Sequence, residues 1–193
     1  MSGVRRRVGL PPRMQKDKLT RTSKFLSLVL RHRPELIGIT LDPAGWVSAA
    51  ELLRACRAHG RPLTSEELRE VVASNDKQRF SFSEDGRRIR ANQGHSVPVE
   101  LGYSPAAPPE VLYHGTPEKF LPLIREGGLK KGARHHVHLS PDEEAARRVG
   151  GRRGWPVILK VESGRMRREG YEFFQSANGV WLTEHVPPEY LVF

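Results

Sequence analysis

Cysteine is almost absent: Cys56 stands alone among 193 residues. One cysteine excludes an internal disulfide and any cysteine-based zinc site. It sits beside Leu52 and Leu53 in a helix-like run, so it reads as a small buried apolar residue rather than a nucleophile. Long apolar runs are also lacking, and none approaches the ~20 residues that span a bilayer. Arg5, Arg6 and Arg7 make the N-terminus basic, but no apolar core follows them as in a secretory signal. The expectation is an intracellular protein, cytoplasmic if prokaryotic, with no membrane partner. No G-x-G-x-x-G follows a strand and no Walker A sequence exists, which argues against Rossmann and P-loop nucleotide sites. Acidic residues are the scarcer charge, 22 against 32 lysines and arginines, and the formal net charge of +10 favours a polyanionic partner. A basic, solvated surface would have the same composition.

The chain divides in two at residues 96–110, a proline-rich stretch without helical period. Residues 1–18 read as a basic flexible tail, 19–95 as a first lobe, 96–110 as a linker and 111–193 as a second lobe. In the first lobe, Leu19, Thr22, Leu26, Val29 and Leu30 share one helical face that ends at Arg31-His32, before Pro34. Ser48 is placed to cap a helix through Leu52, Leu53 and Cys56, stopped by Gly60. Thr64 and Glu67 form a capping box for a third helix carrying Leu68, Val71 and Val72. Phe80 and Phe82 alternate with polar residues, Asp85-Gly86 offers a turn, and Ile89 lies on a returning strand. Three short helices and a hairpin are similar to a winged helix, which by itself does not establish nucleic-acid binding.

The second lobe is strand-rich. Strands are expected at Val111-Leu112-Tyr113, at Val137 and Leu139 alternating with His136 and His138, at Val157-Ile158-Leu159, at Val180-Trp181-Leu182 and at the C-terminus. A helix carries Phe120, Leu121 and Ile124 and stops at Gly127-Gly128. Ser140, Pro141 and Glu143 read as N-cap, N1 and N3 of another. The fold class is α+β. His136 and His138 share a strand face, with His135 opposite. Two ligands from one strand without an adjacent carboxylate do not complete a metal site, so the expectation is hydrogen bonding and no metal. Arg31-His32 at a helix C-terminus, Arg79 before the hairpin and Arg152-Arg153 before Val157 each fit a capping or solvated charge. If they converged they would suit a phosphate, which arginine holds through a rigid fork of donors.

The segments LSLVLRHRPE, GWVSAAELL, NDKQRFSF, RIRANQGHS, LYHGT, HHVHLS, VGGRRGWPVIL and NGVWLTEHVPPEYL resemble the RNA 2′-phosphotransferases in order and spacing, over roughly residues 19–193. The resemblance implies a winged-helix first lobe and a second lobe of the ADP-ribosyltransferase type. It implies NAD⁺ as co-substrate, no metal, and RNA bearing an internal 2′-phosphate, with tRNA splicing as the setting and a monomeric enzyme. By motif, the phosphate-handling residues are Arg31, His32, Arg79 and Arg152, and the NAD⁺ contacts are His114, Gly115, Thr116, His138 and Ser140. Arg153 stands where the family often has histidine, so both neighbouring arginines remain candidates for the phosphate. Protein-modifying ADP-ribosyltransferases often need a glutamate near the last strand motif. Here that segment reads Asn178-Gly179-Val180-Trp181, which fits a nucleophile that is already anionic, and Glu184 reads as a surface acid. The alternative activity is an ADP-ribosyltransferase that caps terminal phosphates of RNA or DNA.

Overall fold

A computed structural model describes residues 15–74, 78–151 and 155–193. The first half holds α1 (Lys16–Arg31), β1 (Val47–Ser48), α2 (Ala49–Ala58), α3 (Ser65–Ala73), β2 (Phe80–Phe82) and β3 (Arg88–Ala91). α1 buries Leu26, Val29 and Leu30, and its last turn closes where the amides of His32 and Arg33 both donate to the Leu28 carbonyl. Pro34 cannot continue the helix, having no N–H to donate. Ser48 caps α2 through the Glu51 amide, and Thr64 and Glu67 form the reciprocal capping box of α3, each as the sequence predicts. Substituting such a cap costs about 1 kcal/mol. β1, β3 and β2 form an antiparallel sheet in that order, with Val47 opposite Ile89 and Phe80 opposite Ala91. Helices and sheet enclose one core, running from Leu26 to Ala91.

A second core runs from Leu112 to Leu191. Around it lie β4 (Leu112–Pro117), α4 (Leu121–Gly127), β5 (Leu129–Lys130), β6 (Val137–Leu139), α5 (Glu143–Gly150), β7 (Pro156–Val161), α6 (Ser163–Arg168), β8 (Phe174–Gln175), β9 (Trp181–Thr183), β10 (His185–Val186) and β11 (Leu191–Val192). They form small antiparallel sheets ordered β11-β7-β4, β6-β9-β8 and β10-β5, so the molecule is α+β with no parallel pairing among the described residues. On β6, Val137 and Leu139 are buried while His138 takes the other face, with His136 just before the strand. Register extends that face into a row, His138 opposite Leu182 and Leu182 opposite Phe174.

The connection between the cores is extended and tied to both. The Glu100 amide donates to the Pro43 carbonyl at 2.7 Å and the Ala106 amide to the Phe173 carbonyl at 2.8 Å. Tyr103 donates its hydroxyl to the Asn92 carbonyl at 2.5 Å.

One expected cap is displaced. Asp142, not Ser140, caps α5, accepting from the Ala145 amide at 2.7 Å. Ser140 is held in extended backbone because its amide and carbonyl both pair with Tyr113, at 2.8 and 2.9 Å. The Asp142 side chain already occupies this helix end.

Gly115 in β4 faces α5. A Cβ there would stand 2.3 Å from the Ala146 carbonyl oxygen and 3.2 Å from the Gly150 Cα. The glycine therefore permits close helix-on-strand packing. Gly115→Ala should push α5 off β4 and lose about 1–3 kcal/mol of stability, read as a lower urea midpoint. An unchanged midpoint would contradict this packing role.

Candidate active site

The end of α1 meets the second lobe through the turn at Gly94. The Arg31 carbonyl accepts from the Ser96 amide at 2.9 Å and the Val97 amide at 3.3 Å, so the helix end anchors the chain leaving β3. The Arg31 guanidinium crosses to the Arg79 carbonyl at 3.3 Å and lies 6.0 Å from the Phe80 ring centre. Nδ1 of His32 is 2.9 Å from the Ser96 hydroxyl. Gly94 has φ +82°, and a Cβ on it would stand 3.6 Å from Cε1 of His138 and 3.7 Å from Nη1 of Arg31. Only a glycine is comfortable at that φ, and it lets side chains from the two lobes close on one point.

His138 is itself held from two sides. Nη1 of Arg134 is 2.8 Å from its Nδ1, and its main-chain carbonyl is 3.0 Å from Nδ1 of His114 on β4. Beside this cluster opens a cavity of about 200 Å³, whose walls include His95, Leu101, Tyr103, His136, His138 and Phe174. His136 packs edge-on toward Tyr103, ring centres 6.2 Å apart, and tilted against Phe174 at 5.6 Å. Planar apolar walls beside a cationic rim suit a ligand with an aromatic ring and a phosphate.

The electrostatics keep these imidazoles neutral. Burial, then Arg134 and Arg31, push His138 down to about 3. Burial, then Arg31, His135, His32 and Arg90, push His95 down to about 3. His32 is lowered by burial and by Arg31 and Arg134. Burial also lowers His114, against the opposing effect of its bond to the His138 carbonyl, and lowers His136. A neutral imidazole keeps one donor and one acceptor nitrogen, so it can accept a proton or bind a hydroxyl at pH 7.

Of the residues singled out in the sequence, Arg31, His32 and His138 and the main chain of Arg79 come together here, with His114 bonded behind His138. Thr116 is buried on the same strand face as His114, opposite Gly115. Ser140 is fixed to Tyr113 through its main chain. Arg152 and Arg153 lie outside the described residues. Among the described residues no three histidine, cysteine or acidic side chains stand where they would hold a metal ion, and no helix is long and apolar enough to cross a membrane. Glu184 is exposed and ion-paired to Lys131, as a surface acid would be. Sequence reasoning did not single out Arg134, His95, Gly94, Ser96 or Tyr103. The signal for two of them was positional, Arg134 lying just before HHVHLS and Gly94 within QGHS.

Fold and site together define an α+β protein with a cationic cleft, walled by neutral imidazoles and aromatic rings, between two cores. The family model described as RNA 2′-phosphotransferase, Tpt1 / KptA family, matches residues 17–185. Curated relatives named "Probable RNA 2′-phosphotransferase" include one from Trichormus variabilis, 54% identical across 92% of this chain and 98% of its own length. One from Streptomyces coelicolor is 54% identical across 93% and 98%. Another, from Burkholderia lata, is 56% identical across 89% of each chain. The chain belongs to the RNA 2′-phosphotransferase family.

Neutral buried histidines give stability a definite pH slope. Below the ordinary imidazole value of 6.5 the unfolded chain takes up protons that folded His95 and His138 refuse until about pH 3. Their contribution is therefore fully present above pH 6.5 and is lost as pH falls through that window. His95 is 1% exposed, and neither ring nitrogen has a hydrogen-bond partner among the described residues. His95→Phe should flatten the slope of unfolding free energy between pH 6.5 and 4 by up to about 1.4 kcal/mol per pH unit. Urea titrations at several pH values would read it, and identical slopes for both proteins would contradict the assignment.

Proposed function

We propose that this protein removes an internal 2′-phosphate from RNA by transferring it to NAD⁺. The first lobe, three helices and a three-stranded sheet, is read as a winged helix that presents RNA, and the second as an ADP-ribosyltransferase-type lobe that takes NAD⁺. The observation that carries the reading is the meeting of Arg31 and His32 from the end of α1 with the His138 ring of β6 across Gly94. Family membership supports it, and the cavity beside His138, with its aromatic walls, fits a nucleotide ring.

The reaction runs in two transfers. The RNA 2′-phosphate oxygen bonds to C1″ of the nicotinamide ribose as the bond to nicotinamide breaks, and nicotinamide leaves with the bonding pair. The phosphate is already anionic, so this step needs no base. The ribose O2″ then bonds to phosphorus and the bond to the RNA 2′ oxygen breaks. The products are 2′-hydroxyl RNA, which regains a proton, and ADP-ribose 1″,2″-cyclic phosphate. Arg31 and Arg79, with Arg152 by motif, are assigned to the phosphate, where fixed guanidiniums stabilise charge that shifts between its oxygens. His32, kept neutral by burial and by Arg31 and Arg134, is the group to accept the O2″ proton and return it to the leaving 2′ oxygen. His114, Gly115, Thr116, His138 and Ser140 are assigned to NAD⁺. No metal is needed in either transfer.

Single-turnover assays on a short RNA with one internal 2′-phosphate, with EDTA throughout, test this reading. The phosphate should be lost only when NAD⁺ is present, and His32→Ala should accumulate RNA carrying a 2′-phospho-ADP-ribose group. If wild type stops at that adduct, the activity is capping of phosphates. RNA binding that is salt-sensitive but indifferent to NAD⁺, without turnover, would mark a binding module.

A further inference from the structure

We infer that Arg134 is a positioning residue, which fixes the ring tautomer of His138 so that a proton donor lines the cleft. A guanidinium carries donors and no acceptor. At 2.8 Å from Arg134 Nη1, Nδ1 of His138 must therefore supply the lone pair, and the ring proton resides on Nε2. The adjacent His114 is set the opposite way. Its Nδ1 faces the His138 main-chain carbonyl at 3.0 Å, and a carbonyl only accepts, so Nδ1 holds the proton and Nε2 the lone pair.

Two neighbouring imidazoles are thus locked in opposite tautomers, one by a guanidinium and the other by main chain. The cavity wall therefore gains one donor, His138 Nε2–H. The complementary ligand group presents an acceptor, as a ribose hydroxyl does. This rests on the reading that NAD⁺ binds beside β4 and β6, and it names the feature those residues recognise. Several charged or titratable groups surround the His138 ring. Arg134 and His136 come from the turn before β6, Arg31 from α1 and His114 from β4. The two arginines disfavour imidazolium, which would lose the acceptor on Nδ1. Arg134 lies on the surface, its amide donating to the Lys131 carbonyl at 3.2 Å, so replacing its side chain leaves the buried core intact.

The test is nitrogen-15 NMR of the histidine rings in the ligand-free protein, followed by steady-state kinetics. In the wild type, His138 should show a protonated Nε2 and a hydrogen-bonded bare Nδ1, and His114 the reverse. Arg134→Met should shift the His138 ring nitrogens and leave those of His114 in place, while Arg134→Lys, which keeps a donor, should restore them in part. Loss of one such hydrogen bond should raise the KM for NAD⁺ about tenfold, with less effect on kcat. A wild-type His138 protonated on Nδ1, or ring shifts indifferent to Arg134→Met, would overturn the inference whatever NAD⁺ does. Shifts that change while the KM for NAD⁺ stays constant would instead overturn the assignment of His138 to NAD⁺. The wild-type spectrum is decisive even if a variant fails to fold.

Discussion

The site depends on one main-chain acceptor. At the end of α1 the Arg31 carbonyl has no further helical amide to serve, and it accepts from Ser96 and Val97 instead. A helix terminus must satisfy its orphan carbonyls, and here the chain that leaves β3 does so. That choice fixes where the connecting segment starts, aligns the Ser96 hydroxyl with His32, and carries Gly94 between Arg31 and His138. The onward path is pinned at Glu100 and Ala106, so the two cores meet along a defined seam.

Electrostatics follow from that seam. Arginines from separate elements face imidazoles that are partly or wholly buried. Charging any of these rings would cost both desolvation and repulsion. The rings stay neutral and keep their lone pairs, while Arg31 and Arg134 hold the positive charge. A cleft with fixed cations and neutral hydrogen-bonding rings attracts a phosphate without the rings turning into counter-charges. In the proposed transfer, little reorganisation is then needed as charge moves.

Local structure was legible in the sequence wherever short-range chemistry decided it. The Thr64–Glu67 capping box, the Ser48 cap, the stop at Pro34 and the alternation of Val137 and Leu139 with histidines all appear at the expected places. Ser140 misled because its pattern suits a cap, yet strand pairing with Tyr113 holds its backbone and Asp142 is better placed. The packing demand on Gly115 was not legible, since the atom that imposes it belongs to α5, far along the chain. His95 and Tyr103 gave no local signal because their meaning comes from contacts across the seam, which periodicity and spacing do not encode. Motif resemblance supplied Arg31, His32 and His138 as separate pieces, and the fold supplied the Gly94 turn that joins them.

The role proposed for this seam is to recognise a phosphate on the RNA 2′ position. The most direct measurement compares affinities for one short RNA carrying either an internal 2′-phosphate or the plain 2′-hydroxyl, at fixed salt, in wild type and Arg31→Gln. Charge-assisted hydrogen bonds to the phosphate should favour the phosphorylated RNA by about tenfold or more, and Arg31→Gln should erase most of that preference. Equal affinity of the wild type for the two RNAs would contradict the account.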